Sequence, residues 1–167
     1  EAYDKVSRST VMEVEAQIDT LFSRIVKAMN DVYCPNVESK DAITSVDGTV
    51  YPAGTKILDA DKCARGVDGK LPPRELFTRV GVDRYTEVTG TDGKTYYIYN
   101  EEDPNNTSTM YSIGSVSINS DLKRQITLMP AYTANGAVDY DFGHRLANAW
   151  NVKDMVLSPY DQKPCTF

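Results

Sequence analysis

The stretch EAYDKVSRSTVMEVEAQIDTLFSRIVKAMNDVYCPN, Glu1 to Asn36, decides how the rest of the chain is read. From Val11 onward its apolar residues fall at Val11, Val14, Ile18, Leu21, Phe22, Ile25, Met29, Val32 and Tyr33. That is the three-and-four spacing of one helical face, and Pro35 stops it because proline has no amide to continue the ladder. Thr10-Val11-Met12-Glu13 fits a capping box that would start the helix at Thr10. Tyr3, Val6 and Thr10 carry the same face backwards, which extends the helix over 1–33. At 1.5 Å per residue the longer helix is about 50 Å long. A compact chain of this size is about 40 Å across, so the rod is expected to project from its own domain. Val11, Val14, Ile18, Leu21, Phe22, Ile25 and Met29 are the residues expected to pack it down.

The 167 residues fit one domain, with 41% hydrophobic and 25% charged residues, ordinary values for a folded globule. Lys and Arg number 18 against 24 Asp and Glu, a net charge of −6. With no cluster of basic residues the chain lacks the electrostatic footprint of a nucleic-acid binder, and no such partner is expected. No run reaches the roughly 20 apolar residues that span a bilayer. No charged segment followed by an apolar one appears within the sequence as a leader would, and a chain beginning at Glu1 is read as trimmed from an exported precursor. Cys34, Cys63 and Cys165 all sit in polar, turn-like settings rather than in apolar runs, which favours a disulfide over inert core thiols.

Beyond Pro35 the sequence changes character. Residues 34–83 are rich in Gly, Pro, Asp and Ser and read as an irregular connection, with short strands at Val50-Tyr51 and Lys56–Leu58. RELFTRVG, Arg74–Gly81, reads as a short helix after Pro72-Pro73. RYTEVTGTDGKTYYIYN is two β-branched and aromatic runs joined by Gly90-Thr91-Asp92-Gly93, a hairpin. TMYSIGSVSIN and LKRQITLMPAY read as two more strands, FGHRLANAW as a helical turn or two, and DMVLS as a last strand. The expected architecture is α+β: a long N-terminal helix packed on an antiparallel sheet of four to five strands within residues 84–167, tail included.

Few residues point to chemistry. His144 stands near Asp139 and Asp141, but no Gly-x-Ser-x-Gly elbow accompanies it, so it reads as structural. Cys34, Cys63, Cys165 and His144 are zinc-ligand types without zinc-ligand spacing. Asp59, Asp61 and Asp68 do not follow the calcium-loop order, and they and Glu101-Glu102-Asp103 read as solvated acidic loops. Asn105 and Asn106 each begin a glycosylation sequon. Tyr97 and Tyr99 alternate with Tyr96 across the hairpin, the pattern of strand formers half-buried on two faces. Neither a phosphate loop nor a dinucleotide fingerprint is present, so no cofactor, no metal and no catalysis are expected.

The helical stretch Glu1–Cys34, the sheet-forming run from RYTEVTGTDGKTYYIYN through DMVLS and the C-terminal Cys165 together resemble the soluble domain of a type IV pilin, minor pilin or pseudopilin. The resemblance implies a structural subunit of an extracellular or periplasmic filament, acting in assembly, adhesion or secretion. Its partners would be other pilin subunits in a homo- or hetero-filament. Membrane contact would come only through an apolar helical segment ahead of Glu1, which anchors the subunit in the inner membrane before assembly. The resemblance also implies a helix stripe that clamps the sheet, and a disulfide joining Cys34 to Cys63, with Cys165 the alternative partner.

A periplasmic sensor domain of a chemoreceptor or sensor kinase is the rival expectation. It too follows a membrane segment with a long helix and an antiparallel sheet, and Arg84 and Tyr97 would then be ligand contacts. The polar, proline-broken MVLSPYDQKPCTF gives it no returning helix, which favours the pilin.

Overall fold

The computed structural model describes residues 10–149. Within them the chain is α+β, with an N-terminal helix and a four-stranded antiparallel sheet. The sequence-expected strand at DMVLS, Cys165 and residues 1–9 lie outside the described residues, as does the side chain of Val11. Helix α1 (Thr10–Tyr33) runs 24 residues and stops two residues short of Pro35.

The main sheet has the order β1–β4–β7–β6, formed by β1 (Asn36–Glu38), β4 (Lys56–Leu58), β7 (Thr95–Tyr99) and β6 (Tyr85–Thr89). Strands β6 and β7 are the hairpin that the sequence announces, and Gly93 closes its turn with φ of 79°. The outer half of the sheet corrects the expected division of the chain. Strands β1 and β4 come from the stretch read as an irregular connection, where each is three residues long. A second hairpin, β2 (Ile43–Thr44) with β3 (Val50–Tyr51), lies over the main sheet.

Two further readings are corrected. Arg74–Gly81 is not a helix: it contains β5 (Phe77–Arg79), paired antiparallel with β8 (Val116–Ile118). The run Leu122–Tyr132 is not a strand. It gives the end of helix α2 (Ser120–Arg124) and a single 3-10 turn at Ile126–Leu128. Asn119 explains the difference, because its side chain accepts the Asp121 amide at 2.9 Å and starts a helix ahead of the β-branched residues. Helix α3 (Asp141–Ala149) forms where FGHRLANAW places it.

Period-two alternation gives the main sheet two buried faces. One carries Tyr85, Tyr97, Tyr99 and Leu58 against the end of α1, with Leu122 of α2 and Phe142 of α3. Tyr33 meets Phe142 edge to face at 5.2 Å between ring centres. The other face carries Val88, Ile98 and Tyr96, covered by Ile43 and Tyr51 of the β2–β3 hairpin.

Candidate functional site

The helix does not lie on the domain by the stripe that its sequence displays. Its fully buried residues are Val26, Asn30 and Tyr33, with Cys34 just beyond. At about 100° per residue these sit roughly a third of a turn from the centre of the row Val14, Ile18, Leu21 and Ile25. Val14 and Ile18 are 46% and 51% exposed, whereas Leu21, Phe22, Ile25 and Met29 are half-buried. Among the described residues, nothing hides the Val14–Ile18 end of the expected packing face. Val26, the apolar residue held most tightly, belongs to a neighbouring row.

Polar chemistry explains the rotation. Asn30 is fully buried, and its Nδ2 donates to the Phe77 carbonyl at 2.8 Å and to Glu75 Oε2 at 3.0 Å. The Phe77 amide donates back to Asn30 Oδ1 at 3.0 Å. The side chain therefore reads the backbone of β5 as a neighbouring strand would, which holds Phe77 extended. Asp19 Oδ1 accepts the Ile113 amide at 2.9 Å, and Lys27 pairs with Glu102, so the loop before β8 is tied to the same side of α1.

The carboxyl end of α1 is met by a cation from elsewhere in the chain. No basic residue occupies the helix's last turn, and that end leaves carbonyls without partners. Arg84, just ahead of β6, fills the place: its Nη2 donates to the Cys34 carbonyl at 3.2 Å and to Asp31 at 2.5 Å. Its Nη1 donates to the Tyr111 hydroxyl at 3.2 Å, and the guanidinium stacks over the Tyr99 ring at 5.0 Å. The Tyr111 hydroxyl in turn donates to Glu75 Oε2 at 3.0 Å. Burial pushes the Glu75 carboxyl up to about 7, against the opposing pull of Arg84, the Tyr111 hydrogen bond and Arg79.

The structure brings Arg84 and Tyr97 together on the wall of a cleft of about 300 Å³ that also touches Glu75 and Asp83. Arg84 has little left to offer a ligand there, because every nitrogen of its guanidinium already has a protein partner. A second cleft, about 410 Å³, lies between α1 and the sheet edge. Its lysines are also engaged, Lys27 with Glu102 and Lys56 with Glu101.

Cys34 and Cys63 are both buried in the core beneath the helix end and are not joined to each other. Cys34 Sγ donates to the Pro73 carbonyl at 3.2 Å, and burial drives its thiol far above the ordinary range. Polar, turn-like flanks led to the expectation that these are not core thiols, and that is corrected: both are core residues. Beside Cys63, Asp61 and Lys62 are exposed while the thiol turns in.

His144 is exposed on α3, and Asp139 is bound to Arg145 instead, which holds its carboxyl below the usual range. Asp59 serves Lys62 and Asp68 serves Arg74. Among the described residues no group of three or more His, Cys, Asp or Glu side chains gathers as a metal site would require. Asn105 and Asn106 stand in an exposed loop, and Asn106 accepts the Ser108 amide and hydroxyl.

Asn30 and Val26 are the positions docking α1 that the sequence reading passed over. The available signal was a polar residue, Asn30, placed four after Val26 and three before Tyr33 within a helical row.

Comparison with protein-family models, curated proteins and solved structures finds no match.

Proposed function

We propose that the chain is the folded part of a filament subunit of the type IV pilin, minor pilin or pseudopilin class. In this reading it is exported and acts by assembly rather than catalysis, with copies of itself or related subunits as partners. One observation carries the proposal: α1 is fixed to its domain by polar bonds on one side and keeps an apolar row, Val14 and Ile18, open on another. A helix that needed only its own domain would turn its apolar row inward. A helix that packs on neighbouring helices needs a second face, and ridges formed by residues four apart are what such packing uses. Covering Val14 and Ile18 would contribute about 1 kcal/mol each, since half of each is already hidden.

The sensor reading draws its support from the cleft beside Arg84 and Tyr97. The committed hydrogen bonds of Arg84 weigh against it.

A photo-crosslinking amino acid placed at Ile18 tests the proposal in the full chain, with Lys94, on the distant hairpin turn, as the control position. The expected result is a covalent pair whose joined peptides both come from α1, formed from Ile18 and not from Lys94. Equal capture from both positions, or none from Ile18, contradicts it.

A further inference from the structure

Arg65 is half-buried, and its cation stands beside the Cys63 thiol. Its Nε is buried and bonds nothing, and among the described residues no carboxylate pairs with its guanidinium. The other buried or half-buried arginines have partners for their terminal nitrogens, although Arg79 Nε is buried and unbonded as well. Arg74 pairs with Asp68 and Arg84 with Asp31. Arg79 donates to the carbonyls of Thr109 and Asn100 and stacks on the Tyr111 ring. An unpaired cation held partly out of water is costly, and such a group calls for an ion or ligand to complete it.

The surroundings of Arg65 have the size and chemistry of a small site. Its backbone is pinned, with its amide donating to the Tyr132 carbonyl at 2.7 Å and its carbonyl accepting from Ala131 and Tyr132 at 3.0 Å each. It lines a cleft of about 200 Å³ with Gly66, Gly69, Tyr132, Thr133 and Gly136. Gly66 admits no side chain, because a Cβ there would come 2.6 Å from the Leu128 carbonyl oxygen. Gly69 and Gly136 hold φ of 65° and 79°, which glycine adopts freely. Glycine thus supplies three of the eight residues that line the cleft. Ligand pockets for larger molecules start at about 300 Å³, so this one suits a small group.

We propose that this cleft binds a small oxyanion, a carboxylate or a phosphate, gripped by the planar fork of the Arg65 guanidinium. Arginine matches both anions with two parallel donors, which a lysine cannot do. The anion would also neutralise the cation that now stands beside the Cys63 thiol, where Arg65 opposes the upward push of burial.

The test is a titration of the isotope-labelled chain, followed by amide NMR, with inorganic phosphate and separately with acetate, at ionic strength held constant with chloride. Saturable shifts of the Gly66, Gly69 and Gly136 amides are expected. The anion with the lower midpoint identifies the ligand class. Arg65→Gln should raise that midpoint about tenfold, while Arg124→Gln, on an exposed position of α2, leaves it unchanged. Arg65→Lys keeps the charge and should raise it several-fold, so it serves if Arg65→Gln does not fold. No saturable shift at these amides with either anion overturns the proposal, and so does a midpoint unaltered by Arg65→Gln or, in its place, Arg65→Lys.

Discussion

Asn30 shows how one side chain sets the pose of a whole element. Removing it leaves the Phe77 amide, the Phe77 carbonyl and Glu75 short of a partner in a dry place. Asn30→Ala should therefore cost about 3 kcal/mol in urea unfolding, from the unmet polar groups and the small cavity together. A loss under about 1 kcal/mol would mean that the bonds are dispensable. Glu75 adds a dependence on pH. Its folded carboxyl titrates at about 7 against 4.5 for the free side chain, so between these values the native state holds more protons than the unfolded one. Stability then falls as pH rises through that window and levels off above it, by roughly 3 kcal/mol in all. Glu75→Gln keeps an acceptor without the charge, and its stability should be flat over the same range. Unfolding curves from pH 4.5 to 7.5 check this, and a wild-type stability that rises across the window contradicts it.

At the scale of the element, α1 has two unequal halves. Val26, Asn30 and Tyr33 are locked into the core, while Met12, Val14 and Ile18 are exposed. Backbone amides of Met12–Ala16 should exchange with solvent far faster than those of Val26–Tyr33, because opening the first part disturbs little else. Hydrogen exchange by mass spectrometry reads this directly, and equal protection along α1 would count against a two-part helix. Part of this division was legible in the sequence. The apolar period set the helix, and Pro35 its end; β-branched and aromatic residues around Gly90 and Gly93 set the β6–β7 hairpin. The helix rotation was not legible, because hydrophobic periodicity counts apolar residues and Asn30 docks through polar bonds. Strand β5 was hidden for the same reason: Phe77 is held extended by a residue 47 positions away. Strand β4 was legible at Lys56–Leu58, but β1 was hidden by shortness, since three residues without local alternation carry little signal.

For the whole molecule, the sheet is covered on both faces, by helices on one and by the β2–β3 hairpin on the other. Its polar seam from Asp31 through Arg84 and Tyr111 to Glu75 joins the helix end to the sheet and to the loop before β8. Among the described residues the core closes without the exposed row of α1, and the proposed assembly would use that row. Replacing Val14 and Ile18 by lysine should change stability by less than about 0.5 kcal/mol, as surface substitutions do. Sedimentation velocity over a concentration series, comparing the wild-type chain with the Val14→Lys, Ile18→Lys double variant, tests this account most directly. The wild-type sedimentation coefficient should rise with concentration, while the double variant stays monomeric. A wild-type chain that remains monomeric up to about 1 mM, where a contact worth about 4 kcal/mol would show, contradicts the account, as does a double variant that associates equally well.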